Sequence, residues 1–129
     1  MSIPQYRQKI KDFVCGDSLI VQRTVRRIPS GLTIAKAYMT VKTNEADVDG
    51  SALFQLSITS TSTSSGQITD TGADGTGTVR FTLSRTQTIA LTPGTNYYFD
   101  IQIIASDGGL YTISKGRMVG LREITIAST

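Results

Sequence analysis

Histidine is absent from this 129-residue chain, and so is tryptophan. Without histidine the usual base for a serine or cysteine nucleophile is missing, as is the commonest side-chain ligand of transition metals. Cysteine occurs once, as Cys15. That excludes an intrachain disulfide framework and predicts folding in a reducing compartment. With no histidine to activate it, the thiol reads as a buried, indifferent one. Glutamate occurs twice, as Glu45 and Glu123, which leaves little for paired-carboxylate hydrolysis of glycosides. The aspartates stand mainly beside glycine, in Asp49-Gly50, Asp74-Gly75 and Asp107-Gly108, and these are turn dipeptides. The stretch Asp70 to Asp74 lacks the closing glutamate of a calcium loop. Gly72 to Gly77 lacks the Lys-Ser/Thr ending of a phosphate loop and opens no helix. No apolar run is long enough to span a bilayer, and Met1 to Asp12 lacks the apolar centre of a secretory leader. The expectation is a non-enzymatic protein without metal or cofactor, made in the cytoplasm and not bound to membranes.

What is present is threonine, serine and glycine, with hydrophobic residues at 39% and charged residues at 18%. Threonine favours strands and glycine marks turns. From Gly16 onward apolar residues recur at every second position, the period of a half-buried strand. Leu19, Val21 and Val25 form a first such face. Ala35, Ala37, Met39 and Val41 form a second, and Phe54, Leu56 and Ile58 a third. Ile68 marks a short edge strand between two Ser/Gly-rich loops, and Asn44 to Gly50 reads as an acidic loop. Val79, Phe81 and Leu83 follow, then a brief strand or turn at Ile89 and Leu91. Tyr97, Phe99, Ile101, Ile103 and Ala105 make the longest face. Ser106-Asp-Gly-Gly109 is a hairpin turn returning through Tyr111 and Ile113. Ile124 and Ile126 are expected to close the sheet in a last strand. Short strands separated by turn signals predict an antiparallel sandwich.

The segment Leu91-Thr-Pro-Gly-Thr-Asn-Tyr97 is the most specific. A proline-glycine turn leads into a tyrosine two residues before a core position, the pattern of a tyrosine corner. The expected fold is all-β: an immunoglobulin-like antiparallel β-sandwich of seven to eight strands spanning residues 16–129, with an N-terminal docking arm at residues 1–15. In the arm, Tyr6, Ile10 and Phe13 share one face at i, i+4 and i+7, which predicts about two helical turns over Gln5 to Phe13.

Net charge is only +3, but the cations crowd the N-terminal third as Arg7, Lys9, Lys11, Arg23, Arg26, Arg27 and Lys36. A basic end beside a more acidic body suits nucleic acid or an acidic protein surface. Binders of single strands interleave exposed aromatics with such charges, whereas Phe54, Phe81, Tyr97 and Phe99 occupy core-facing positions. Nucleic acid is therefore not expected as the partner.

Leu91, Pro93, Gly94, Thr95, Tyr97, Phe99, Ile101 and Ile103 resemble the tyrosine-corner strand of fibronectin type III domains. A second resemblance covers roughly Cys15 to Lys115. Gly16-Asp-Ser-Leu19, Leu32 to Val41, Gly77 to Leu83, Pro93 to Gln102 and Gly108 to Ile113 are similar to the immunoglobulin-like N-terminal domain of tailed-phage baseplate upper proteins. That resemblance implies a bacteriophage virion protein. By analogy of fold it implies a capsid decoration (cement) protein bound to the major capsid protein or another virion structural protein, as a dimer or trimer on the particle. A tail or baseplate subunit is the alternative. The expected contact residues are Tyr6, Arg7, Lys9, Ile10, Lys11 and Phe13 in the arm, with Arg23, Arg26 and Arg27 facing acidic capsid surface. A carbohydrate-binding module, stacking sugars on Tyr38, Tyr98 or Tyr111, is the alternative from another class.

Overall fold

In the computed structural model, residues 3–44, 52–62 and 64–122 are described. They form eight strands and one short helix. The strands are β1 (Tyr6–Ile10), β2 (Leu19–Val25), β3 (Ile34–Lys42), β4 (Phe54–Ile58), β5 (Gly66–Asp70), β6 (Gly77–Leu83), β7 (Tyr97–Ala105) and β8 (Leu110–Met118), with α1 (Arg85–Ile89) between β6 and β7. One sheet has the order β1-β8-β7-β3-β4 and the other the order β2-β6-β5. Every ladder is antiparallel except that of β1 with β8. The inner faces of both sheets merge in one core, with Phe81, Leu83, Met39, Ile58, Ile101 and Met118 fully buried. This is an immunoglobulin-like sandwich with the first strand carried on the larger sheet.

The tyrosine corner is formed. Tyr97 is buried at the start of β7, and its hydroxyl accepts the backbone N–H of Thr92 at 2.8 Å. Phe99, two residues on, holds the core position where antibody domains place the second cysteine of their inter-sheet disulfide.

The alternations expected for β2, β4, β5, β6 and β7 are realised. Two bulges shift the pattern elsewhere. One between Ile34 and Lys36 turns Ile34 inward and leaves Ala35 exposed, against the expected inward Ala35. Another in the β7–β8 ladder lets consecutive residues Ile113 and Ser114 both be buried. Bulges place two residues opposite one, so an alternation read across them loses phase.

Two larger expectations are corrected. Residues around Ile89 and Leu91 form the end of a helical turn and its exit. Ser84 accepts from the Gln87 N–H while the Gln87 side chain accepts from the Ser84 N–H, a reciprocal capping box. The N-terminal residues form a strand. β1 runs parallel to β8 in unbroken register, Tyr6 opposite Ser114 through Ile10 opposite Met118. Past β1, Leu121 N–H donates to Phe13 C=O and Cys15 N–H to Leu121 C=O. An isolated helix of this length is marginal in water, whereas β8 offers a whole row of unpaired backbone groups. Gly116 makes the approach possible, because a β-carbon there would overlap the Gln8 carbonyl. The expected last strand at Ile124 and Ile126, and most of the Asn44 to Gly50 loop, lie outside the described residues.

Candidate functional site

Alternation along β1 turns Ile10 inward and Arg7 and Lys9 outward. Ile10 and Phe13, expected as docking anchors, are core side chains, joined there by Ile3. A partner could reach them only by unpairing β1. Arg7, Lys9 and Lys11 remain exposed, and Tyr6 opens the strand.

The ladders place Arg7 and Lys9 in two cross-strand rows on the outer face of the larger sheet. Lys9 lies opposite Arg117, Arg117 opposite Tyr98, and Tyr98 opposite Lys42. One pleat along, Arg7 lies opposite Lys115, Lys115 opposite Asp100, and Asp100 opposite Thr40. Five cations thus meet one carboxylate. A shallow hollow of about 260 Å³ opens between the rows, lined by Arg7, Lys42, Tyr98, Asp100, Lys115 and Arg117 among others. The Arg117 guanidinium stands 5.8 Å from the centre of the Tyr98 ring, a cation–π contact. Like charges directly opposite each other destabilise a sheet. Lys9 against Arg117 and Arg7 against Lys115 put two such pairs side by side.

Of the cations of this face only Arg7 and Lys9 were legible as contact candidates, with Tyr98 legible as a stacking residue. Lys42, Lys115 and Arg117 lie more than thirty positions away in the chain and meet them only through the β1–β8–β7–β3 order. The alternation of cations with apolar residues along β8 was the available signal.

The arginine run divides. Arg23 sits on the inward side of β2 between buried Val21 and Val25 and is itself half-buried. Burial pushes its pKa down. Arg26 joins Arg23 at the mouth of a cleft between β1, β8 and β2. Arg27 is exposed and in the left-handed region at φ 55°, outside the set that lines this cleft.

Of the tyrosines, Tyr38 and Tyr98 lie on the outer face of the larger sheet, each with a cation over its ring, Lys36 at 5.2 Å over Tyr38. Tyr111 packs against the core. The Cys15 thiol is buried, and desolvation raises its pKa. Among the described residues, no three His, Cys, Asp or Glu side chains gather as a metal site would require. No helix among the described residues is long and apolar enough to cross a membrane.

No protein-family model matches the chain, and no curated protein matches it. Among solved structures the chain is similar to the natural killer cell receptor NKp44, described as a triggering partner in natural cytotoxicity, at 21% identity and a TM-score of 0.46. That alignment covers 90% of this chain and 99% of the receptor chain. It is also similar to murine CRIg, at 9% identity and a TM-score of 0.38, covering 95% of each chain. At these identities the likeness concerns the fold alone.

Proposed function

We propose that this chain is a non-enzymatic structural module of a bacteriophage virion, a decoration protein that docks onto acidic surface of the assembled head. Docking uses the basic outer face of the larger sheet. The virion setting rests on the resemblance carried by Gly16 to Leu19, Leu32 to Val41, Pro93 to Gln102 and Gly108 to Ile113. The surface rests on one observation: two like-charged cross-strand pairs, Lys9 with Arg117 and Arg7 with Lys115, held side by side around Tyr98. An acidic partner relieves the repulsion of Lys9 with Arg117, so association is favoured beyond the bare ion pairs. Each exposed pair contributes only about 0–1 kcal/mol, and attachment becomes firm through many symmetric copies acting together. Tyr98, half-buried in the middle of the patch, supplies the apolar centre such contacts need. The lack of histidine supports a non-enzymatic role. A tail or baseplate subunit would use the same face at a different copy number.

The setting is tested by locating the chain on purified particles by electron microscopy. The face is tested by the double variant Lys9→Glu/Arg117→Glu, with Arg80→Glu, exposed on β6, as a control on another surface. The expected result is loss of particle binding for the double variant only, and weaker binding of the unaltered chain as salt rises. Undiminished occupancy of the double variant overturns the docking face. Absence of the chain from particles overturns the virion setting.

A further inference from the structure

Among the described residues the smaller sheet has three strands. In constant-type immunoglobulin domains the corresponding sheet has four strands, with the first strand of the chain beside the second. Here β1 pairs with β8 in the other sheet, and among the described residues β2 has a ladder only on its β6 side. Natural edge strands are commonly short, bulged, or guarded by proline and outward charge. β2 is seven residues long, holds unbroken register with β6 and contains no proline. Its solvent face carries Ile20, half exposed, with Gln22 and Thr24.

Beside this edge lies the cleft between the sheets, about 440 Å³, lined by Gln8, Gln22, Arg23, Thr24, Arg26 and Ile113. Among the described residues, two cations and no carboxylate line it. The Arg23 guanidinium donates from Nη1 to the Gln22 carbonyl at 2.8 Å. Its Nε is buried and has no hydrogen-bond partner among the described residues. A half-buried cation with no counter-charge among the described residues is costly, and a carboxylate entering the cleft would relieve that cost by a charge-assisted pair.

We propose that the β2 edge receives an extended segment of a partner protein as a fourth, antiparallel strand, with one Asp or Glu of that segment turned into the cleft against Arg23 and Arg26. Backbone groups of β2 supply the affinity, as in other strand additions, and the cleft supplies the selectivity. The period of two then sets the donor's chemistry. The acidic residue stands on the donor's inward side, and its neighbours two positions away are apolar or β-branched, facing the flank of the core near Val21 and Val25. This contact involves neither the basic outer face nor any of its residues, so either site can fail alone.

The chain is presented with a displayed library of random heptapeptides. The expected outcome is enrichment of Asp or Glu at one position flanked at two-residue spacing by β-branched residues. Affinity for the best peptide falls at least tenfold in Arg23→Gln, is partly kept in Arg23→Lys, and falls at least tenfold when the peptide's acid is amidated. The bound peptide slows amide exchange along β2. Circular dichroism of the variants separates loss of binding from loss of fold. Absence of positional acid enrichment, binding that survives Arg23→Gln in a folded protein, or protection outside β2 overturns the proposal. So does an Arg23→Gln protein that self-associates in sedimentation without any peptide preference, since Arg23 is then only a guard against edge pairing.

Discussion

Replacing Ile10 by alanine distinguishes a first strand from an appended arm. Ile10 is 9% exposed and sits in register with the fully buried Met118. Truncating a buried isoleucine costs about 2–5 kcal/mol. Because β1 is an edge strand and can settle inward, the lower part of that range applies, about 2–3 kcal/mol. Unfolding entropy near the midpoint is about 2.1 cal/mol/K per residue. For 129 residues this is roughly 0.27 kcal/mol/K, so the substitution lowers Tm by roughly 7–11 °C. Lys9→Ala, one position away but exposed, is the internal control and should stay within about 0.5 kcal/mol, or roughly 2 °C. Thermal melts followed by circular dichroism make the comparison. Equal melting temperatures for the two variants, with native spectra, refute the inclusion of β1 in the core. Deleting residues 1–12 extends the same logic. It removes Ile3 and Ile10 from the core, about 3–6 kcal/mol of burial out of a total stability of about 5–15 kcal/mol, and leaves the β8 edge bare. The truncated chain should be barely folded or unfolded at 37 °C.

Three further outcomes are expected. Tyr97→Phe removes the acceptor of the Thr92 N–H and should cost about 1–2 kcal/mol in urea denaturation, with an unchanged m-value. Gly116→Ala places a methyl group against the Gln8 carbonyl; amide exchange should accelerate through residues 6–10 while β6 and β7 stay protected. Cys15 has a raised pKa because it is buried. The unfolded thiol, at about 8.5, therefore loses its proton before the folded one. Its contribution to stability is complete below that pH and declines as pH rises through the interval up to the folded pKa. Cys15→Ser should flatten that alkaline decline, and thiol labelling of the native chain at pH 8 should be slower than in denaturant.

The inward face of the sandwich was readable from the chain because period-two alternation and the Pro93-Gly94-Tyr97 corner are local signals. The bulges at Ile34/Lys36 and near Ile113 were not readable, since each depends on which residue of a neighbouring strand stands opposite. The N-terminal strand runs against its local spacing for a physical reason. Tyr6, Ile10 and Phe13 satisfy helical spacing, and what overrides it is a tertiary partner, the β8 edge with Gly116 at the crossing. The capping box Ser84-Arg-Thr-Gln87 is a local signal of a helix start, with which the apolar pair Ile89 and Leu91, reading as a brief strand or turn, competes. The basic face was half legible. Arg7 and Lys9 stood out, but Lys42, Lys115 and Arg117 become their neighbours only when four strands are placed side by side.

The parallel ladder of β1 and β8 joins the first strand of the chain to its last described one. If the chain is pulled from its N-terminal end and from beyond Met118, the two strands are drawn in opposite directions along their common axis. The five register pairs from Tyr6–Ser114 to Ile10–Met118 are then loaded in shear, all at once, and do not open one after another like a zipper. The same pairs delay completion of the fold, because β1 has no partner until residues 114–118 have been synthesised. A module closed in this way yields last at the place where traction on its ends is applied.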